Sequence, residues 1–165
     1  MQVRKYVAIV GGSEATGEQL AAAREAGRWL ASRGVVVVTG GLGGVMAAAS
    51  EGVESQGGTS IGLLPGDSRD PANPHLTLSL PTGMGELRNG LVVRSADVVL
   101  AIGGSWGTLS EIALAARTGV PVVMLDGWEL PSSGVTRVAT VDRALAEVWG
   151  LLISPEDQAS FHGER

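Results

Sequence analysis

The chain has 165 residues, the length of one domain with a single core, and 44% of them are apolar. It contains no cysteine, which excludes disulfides, cysteine-based zinc sites and thiol nucleophiles. Its net charge of -5, without a cluster of Lys and Arg, gives no electrostatic support to nonspecific binding of nucleic acids.

Apolar runs that end in glycine or proline alternate with stretches of helical spacing along the chain. Strands are predicted at 6–10, 35–39, 59–64, 76–80, 97–102, 120–125 and 136–139. Helices are predicted at 16–33, 45–56, 84–95, 108–118 and 141–152, the last of them capped by Thr140. The polar segment 65–74 is a loop of a length that is usually functional.

This alternation predicts right-handed βαβ units and a mostly parallel sheet with helices on both faces. The expected fold is a single Rossmann-like three-layer α/β sandwich over residues 1–154, followed by a polar tail at 155–165. The N-terminal MQVRKY lacks the pattern of a signal peptide, and no apolar stretch approaches the length that spans a bilayer. We therefore expect a cytoplasmic protein without membrane contact.

Three predicted strands end in paired glycines, Gly11-Gly12, Gly40-Gly41 and Gly103-Gly104. Parallel strands end at the same edge of a sheet, so these turns are expected to converge on one site. The third turn opens directly onto a helix, whose N-terminal amides and dipole favour an anion such as phosphate. A single turn of this kind is about as often a tight turn without a ligand as it is a ligand-binding turn. Three together favour a phosphate-bearing ligand.

Two common nucleotide sites do not match these turns. A P-loop requires GxxxxGK[ST], and no glycine turn here is followed by Lys. A dinucleotide site requires GxGxxG after the first strand and an acidic residue at the end of the second. The first turn here is GGSEATG and the second strand ends in Thr39-Gly40. Hydrolysis of ATP or GTP by a P-loop and NAD-dependent oxidoreduction are therefore not expected.

Glu111 and Arg88 are the polar residues placed to do chemistry. Glu111 ends the run TLSE, which fits a capping box beginning at Thr108, but its carboxylate would also face the sugar of a nucleotide bound at the turn. Arg88 is either a solvated helix residue or a guanidinium that grips phosphate as a fork. The sequence leaves these roles open. The two histidines, His75 and His162, predict neither a metal site nor a Ser-His-Asp triad.

The runs TGGLGGVM (39–46), PTGMGELRN (81–89) and GGSWGTLSE (103–111) together resemble the LOG superfamily, the lysine decarboxylase-like proteins. Within it, the chain is most similar to the molybdenum cofactor carrier protein-like branch. The resemblance covers about three quarters of the chain, and its motifs are specific in combination.

The cytokinin-activating members of that superfamily are phosphoribohydrolases, which cut a nucleoside 5'-monophosphate into free base and ribose 5-phosphate. Their signature PGGxGTxxE and upstream Arg-Lys pair imply Arg88 and Glu111 as catalytic residues. Glu111 would stabilise the oxocarbenium-like ribosyl centre or position water, and Arg88 would hold the substrate. The ligand-binding residues expected with them are Gly11, Gly12, Ser13, Gly40, Gly41, Gly43, Gly44, Met46, Asn89, Gly103, Gly104, Ser105, Trp106, Gly107 and Thr108.

Four positions depart from the hydrolase pattern and are more similar to the carrier branch. Gly103 replaces Pro, Ser105 replaces Gly, Trp106 stands at the Tyr position, and Asn89 replaces Lys. The resemblance therefore implies binding of a phosphorylated small molecule, with nucleotide, phosphate or molybdenum cofactor as candidate ligands, no required cofactor, and a homodimer or homotetramer. Phosphoribohydrolase activity and an oligomeric scaffold without a specific ligand are the alternatives.

Overall fold

Seven strands of the described residues form one sheet in which every neighbouring pair is parallel. The computed structural model describes residues 4–131 and 134–153. The strands are β1 (Tyr6–Gly11), β2 (Val36–Thr39), β3 (Ser60–Leu64), β4 (Leu78–Pro81), β5 (Val98–Ile102), β6 (Val122–Leu125) and β7 (Val135–Val138). The helices are α1 (Gly17–Ala31), α2 (Val45–Glu54), α3 (Asn89–Arg94), α4 (Trp106–Thr118) and α5 (Val141–Leu152), with a 3₁₀ turn at Gly85–Arg88.

The strand order is β4-β3-β2-β1-β5-β6-β7, which places β1 between β2 and β5. The chain moves outward from β1 through β4 and then returns to the other side of β1 as β5. This reversal leaves a crevice beyond the carboxyl ends of β1 and β5, where α/β proteins bind their ligands. In the register, Gly11 of β1 is paired with Ile102 of β5, so the first and third glycine turns begin side by side.

Helices cover both faces of the sheet. Buried side chains of α1, α2 and α5 pack on one face, and those of α3 and α4 pack on the other. The central strands β2 and β5 are buried along their whole length, as expected for parallel strands between two helical layers. The predicted Rossmann-like three-layer sandwich is confirmed, and the sheet is parallel throughout its described pairings rather than mostly parallel.

Two glycines bring α1 and α2 into backbone contact. A methyl group at Gly27 would lie 2.1 Å from the carbonyl oxygen of Ala49, and one at Gly52 would lie 2.0 Å from that of Arg24. An ion pair between Arg24 and Glu51, 2.8 Å apart, spans the same crossing. Since α2 follows the second glycine turn, this crossing fixes the direction in which that turn leaves the sheet.

Several predicted boundaries were wrong in detail. The helix predicted at 84–95 is the 3₁₀ turn followed by α3, and Gly85 at the start of that turn has a φ of +56°, which an α-helix does not accommodate. The strand predicted at 76–80 is β4, shifted toward the C-terminus. Helix α4 begins at Trp106 rather than at Thr108. The predicted tail at 155–165, with His162, lies outside the described residues. None of the described helices is long and apolar enough to cross a membrane.

Candidate functional site

A cavity of about 330 Å³ lies at the carboxyl edge of the sheet, where the three glycine turns meet. Its size falls within the usual range for small-molecule sites. Its lining comes from the ends of β1 and β2, the start of α4, the 3₁₀ turn and the loop after β3. The lining residues are Val10, Gly11, Ser13, Gly40, Leu42, Met46, Pro65, Glu86, Arg88, Asn89, Ser105, Gly107, Thr108 and Glu111.

Ser105 is the N-cap of α4. Its hydroxyl accepts a hydrogen bond from the amide of Thr108 at 3.4 Å and lies 3.1 Å from the Thr108 hydroxyl. In the described residues, the amides of Trp106 and Gly107, in the first turn of α4, have no hydrogen-bond acceptor. They are the donors that a helix N-terminus offers to an anion, and Ser105, Gly107 and Thr108 all line the cavity.

The capping box from Thr108 to Glu111, one of the two roles that the sequence left open for Glu111, is therefore not formed. The cap is Ser105, and Glu111 lies in the second turn of α4, on the buried stripe it shares with Thr108, Ile112 and Ala115. The spacing of that stripe, i, i+3, i+4 and i+7, is that of one helix face packed on a core. Glu111 is 7% exposed and lines the cavity instead of bonding to the start of its helix.

Burial sets the protonation of Glu111. Removal from water raises the pKa of its carboxyl from an ordinary 4.5 to about 7, and the nearby Arg88 guanidinium only partly opposes this shift. The shortest separation between them, from Arg88 Nη1 to Glu111 Oε1, is 4.0 Å, too long for a hydrogen bond. At neutral pH the cavity therefore contains a carboxyl group that can both give and take a proton.

Arg88 is the principal cation of the cavity and is 8% exposed. Burial lowers the pKa of its guanidinium, while the carboxylates of Glu111 and Glu86 oppose that shift. One guanidinium nitrogen, Nη1, donates to the side-chain oxygen of Asn89, and the other, Nη2, donates to the carbonyl of Gly40 at 3.4 Å. Its Nε is buried and has no acceptor among the described residues. The guanidinium thus has donor capacity that the described residues leave unused.

Gly40 gives Arg88 the space it occupies. A methyl group at Gly40 would lie 2.8 Å from Arg88 Nη2 and 2.8 Å from Met46 Sδ. The backbone of the turn after β2 therefore packs directly against the Arg88 guanidinium and the Met46 thioether.

The loop between β3 and β4 supports the same turn from outside. The Asn73 amide donates to the Gly41 carbonyl at 2.9 Å, and the Asn73 side chain donates to the Leu42 carbonyl at 3.1 Å. Pro65 at the start of this loop lines the cavity, and its carbonyl accepts from the Gly85 amide at 2.8 Å. The long loop thus ties the second glycine turn to the segment that carries Arg88.

The structure brings together ten of the residues that the sequence predicts for the site. Both predicted catalytic residues and eight of the predicted ligand-binding residues line one cavity. They are Arg88 and Glu111 with Gly11, Ser13, Gly40, Met46, Asn89, Ser105, Gly107 and Thr108.

The other predicted ligand-binding residues do not line that cavity. Packing or turn geometry accounts for several of them. A methyl group at Gly44, which has a φ of +61°, would lie 2.3 Å from the carbonyl oxygen of Gly12, so these two glycines let the first and second turns touch. Gly104 lies against the Trp128 ring. The residues off the cavity are Gly12, Gly41, Gly43, Gly44, Gly103, Gly104 and Trp106.

Trp106 is directed away from the cavity. Its side chain is 82% exposed, and its ring packs against that of Trp128 with a centroid separation of 6.3 Å and an interplanar angle of 31°. It contributes its unpaired backbone amide to the start of α4.

Four lining residues were not predicted: Val10, Leu42, Pro65 and Glu86. Glu86 stands two positions before Arg88 in the run TGMGELRN, and that spacing is the one signal in the sequence that would have indicated it. Leu42 lies inside the second glycine turn, but apolar residues in a turn carry no sign of what they face. Pro65 reaches the cavity only through the fold of the long loop.

Comparison with known proteins identifies the family. The model of the SLOG cluster4 family matches residues 4–149. The chain belongs to the SLOG cluster4 family. A protein of Archaeoglobus fulgidus is 37% identical over 138 residues, which are 78% of this chain and 91% of that protein.

Two solved structures share the architecture of this chain over nearly their full length. The molybdenum cofactor binding protein of Rippkaea orientalis is 30% identical, with a TM-score of 0.87 over 93% of this chain and 100% of that one. The molybdenum cofactor carrier protein of Chlamydomonas reinhardtii is 32% identical, with a TM-score of 0.84 over 91% and 99%. The resemblance to LOG proteins of the cofactor-carrier type, predicted from three short runs, is confirmed.

Proposed function

We propose that this protein binds a phosphorylated small molecule in the cavity at the carboxyl edge of the sheet. The observation that carries the proposal is the convergence of Arg88 and the open start of α4 on one cavity. Backbone amides and a guanidinium are the two donors that proteins use most readily for phosphate.

The charges of the cavity suit an anion at its α4 end. The first turn of α4 contains no acidic residue, so nothing there neutralises its unpaired amides. Glu111, the carboxyl group nearest to Arg88 in the cavity, is only about half ionised at neutral pH because its pKa lies near 7. A phosphate at this end would gain donors without facing a fully ionised carboxylate.

The similar proteins support a phosphorylated pterin as one such ligand. Those of Rippkaea orientalis and Chlamydomonas reinhardtii are described as a molybdenum cofactor binding protein and a molybdenum cofactor carrier protein. Molybdenum cofactor carries a phosphate on a flat heterocycle. The cavity offers phosphate donors at α4 and apolar surface at Leu42, Met46 and Pro65, which fit the two parts of such a molecule.

Thermal unfolding with added ligand tests the proposal. We expect ribose 5-phosphate and nucleoside 5'-monophosphates to raise the melting temperature, because a ligand that binds only the folded state stabilises it by about 2.7 kcal/mol at 100 times its Kd. Ribose serves as the control without phosphate. A scaffold that binds no specific ligand would show the same melting temperature with every compound.

Hydrolysis of a nucleoside 5'-monophosphate is a second candidate function. It is favoured by the Glu111 carboxyl, whose pKa near 7 suits proton transfer and which shares the cavity with Arg88. In this reaction water adds to C1' of the ribose, the C1'–N bond breaks, and the base leaves after taking up a proton. Chromatography after incubation with AMP decides the matter. Free base produced by the wild type but not by Glu111→Gln supports hydrolysis, and binding without free base contradicts it.

We further propose that the chain forms a homodimer or homotetramer, as its resemblance to LOG proteins implies. Exposed leucines lie in the 3₁₀ turn, in α3 and in α4, with Leu87 78% exposed, Leu91 41% and Leu114 38%. Helices α3 and α4 pack against each other, and large apolar side chains left exposed on neighbouring helices are candidates for a protein contact. A second copy of this chain is the partner that the resemblance supports.

A further inference from the structure

The side chain of Gln19 makes two hydrogen bonds that serve different parts of the molecule. Its Oε1 accepts from the amide of Thr16 at 3.1 Å, which closes the capping box at the start of α1. Its Nε2 donates to Oδ2 of Asp126 at 2.8 Å, across 107 residues of sequence. A capping box needs only the acceptor. The bond to Asp126 is therefore not needed to start α1 and instead ties this helix to the loop after β6.

Gln19 also lies against the third glycine turn. A methyl group at Gly103 would lie 2.5 Å from Nε2 of Gln19, so the amide fills the space that a side chain would need. Gly103 is buried and has a φ of +65°, and its amide donates to the Leu125 carbonyl at 2.8 Å. Proline, which the hydrolase pattern has at this position, is held at a φ of about −65° and could not adopt this turn. Glycine adopts it freely, and the turn is enclosed between α1 and the end of β6.

The loop after β6 supports the rest of the turn. Asp126 has a φ of +54°, the one positive value outside glycine among the described residues. Such a conformation is unfavourable for a residue with a side chain and persists where the surroundings hold it, as the bond from Gln19 does here. Two residues further on, the ring of Trp128 lies against Gly104 and packs on the ring of Trp106. The turn is thus supported along its length, up to the first residue of α4.

We propose that Gln19 and Asp126 are positioning residues for the phosphate end of the cavity. Neither of them lines the cavity. They act through Gly103, whose placement sets the direction in which the chain leaves β5 and begins α4. The unpaired amides of α4 bind an anion only if they point at it, and a displacement of about 1 Å is enough to weaken such a site. This inference rests on the proposed binding of a phosphorylated ligand and names what aims the donors of that site.

Replacing Gln19 by Glu separates the two hydrogen bonds. A carboxylate keeps the acceptor that the capping box uses, but it offers no donor to Asp126 and faces it with a like charge. We expect the affinity for ribose 5-phosphate, measured by titration calorimetry, to fall about ten-fold. The melting temperature should fall by no more than about 4 °C, as for the loss of a single hydrogen bond in a chain of this size.

Adding Asp126→Asn to Gln19→Glu should restore most of the affinity. The new amide donates to the new carboxylate, and Asn tolerates a positive φ as well as Asp does. Asp126→Asn alone should bind like wild type, because its amide oxygen still accepts from Gln19.

Two controls measure the effect of charge alone. Gln56→Glu adds the same charge at an exposed position after α2 and should bind like wild type. Combining Gln19→Glu with Glu18→Gln, a change at an exposed neighbour, restores the net charge without restoring the hydrogen bond. This double variant should therefore bind as weakly as Gln19→Glu.

The outcomes separate this inference from the function on which it rests. Wild-type affinity in Gln19→Glu, no rescue by Asp126→Asn, or equal rescue by Glu18→Gln overturns the positioning role while the wild type still binds ribose 5-phosphate. A fall in melting temperature well beyond about 4 °C would show that Gln19 serves stability instead, and overturns the role as well. Failure of the wild type to bind ribose 5-phosphate or inorganic phosphate overturns the proposed function itself.

Discussion

The side-chain oxygen of Asn89 accepts a hydrogen bond from the guanidinium of Arg88, the residue directly before it in the chain. The Asn89 amide nitrogen donates to the Ser110 hydroxyl at 3.2 Å and so links Arg88 to α4. A lysine at this position, as in the hydrolase pattern, has no acceptor to offer a guanidinium. The departure from that pattern thus has a physical role in this chain: Asn89 positions Arg88.

Replacing Asn89 by Leu should weaken binding of ribose 5-phosphate by about ten-fold. The substitution removes the acceptor that holds the buried guanidinium in place, and a binding group displaced from its position loses affinity. Calorimetry measures the loss of affinity. Ser110→Ala, which removes only the second of the two hydrogen bonds, should have a much smaller effect. Equal losses in the two variants would show that Asn89 acts on α4 rather than on Arg88.

Replacing Arg88 by Ala should weaken binding of any phosphorylated ligand by at least about ten-fold, as expected for loss of a charge-assisted contact. The matched control is Arg24→Ala, since Arg24 pairs with Glu51 at the crossing of α1 and α2 and does not line the cavity. Its affinity should equal that of wild type. Unchanged affinity in Arg88→Ala would remove this residue from the site.

The buried carboxyl of Glu111 should make stability fall as the pH rises. Its pKa lies near 7 in the folded chain and near 4.5 in the unfolded chain, so between these values the folded state holds more protons. The stabilisation is complete below pH 4.5 and is lost as the pH rises through 7, by about 3 kcal/mol in all. Denaturant unfolding from pH 4.5 to 8.5 measures it. Glu111→Gln should fold normally and lack this component. A variant with the same pH profile as wild type would contradict the assignment.

Replacing Gly40 by Ala should impair binding more than folding. The added methyl group would press on the ends of the Arg88 and Met46 side chains, which can move aside but then leave the arrangement that lines the cavity. We expect a loss of affinity for ribose 5-phosphate of several-fold, with a melting temperature close to that of wild type. Gly43→Ala is the control in the same turn, because a methyl group there would meet no atom within 4 Å. Similar affinities in the two variants would contradict a role for Gly40 in placing Arg88.

Self-association should depend on the exposed leucines beside α3 and α4. Light scattering of the wild type is expected to give the mass of a dimer or tetramer, and Leu91→Lys should lower it by placing a charge in the contact. Leu151→Lys is the matched control, because Leu151 is also exposed, at 47%, but lies on α5. A monomeric wild type would contradict the proposal.

The fold could be predicted because each central strand is an apolar run that stops at a glycine or proline. In each helix that follows, apolar residues recur at helical spacing. The convergence of the turns followed from the rule that parallel strands end at one edge. The start of α4 could not be predicted, since Ser105 and Thr108 are both good caps three positions apart. The structure resolves that choice through the Ser105 hydroxyl, which bonds to the Thr108 amide.

Which glycines line the cavity could not be predicted either. Gly40 and Gly41 are adjacent and look alike in the sequence, yet Gly40 faces Arg88 while Gly41 packs against Leu64. The difference arises from the loop around Asn73 and from the position of β3, both distant in the chain. A pair of adjacent glycines in the sequence indicates that a turn exists. Only the tertiary packing determines which of the two glycines faces a ligand.

The pairing of β1 with β5 has a consequence for how the protein is made. Gly11 and Ile102 are neighbours in the sheet, although β2, β3 and β4 are synthesised between them. Contacts this distant in sequence form slowly, because a long loop must close first. A chain that has emerged only as far as β4 lacks Arg88, α4 and half of the cavity wall. Capture of a ligand in this cavity therefore requires a chain that extends at least through Glu111, the last lining residue in the sequence.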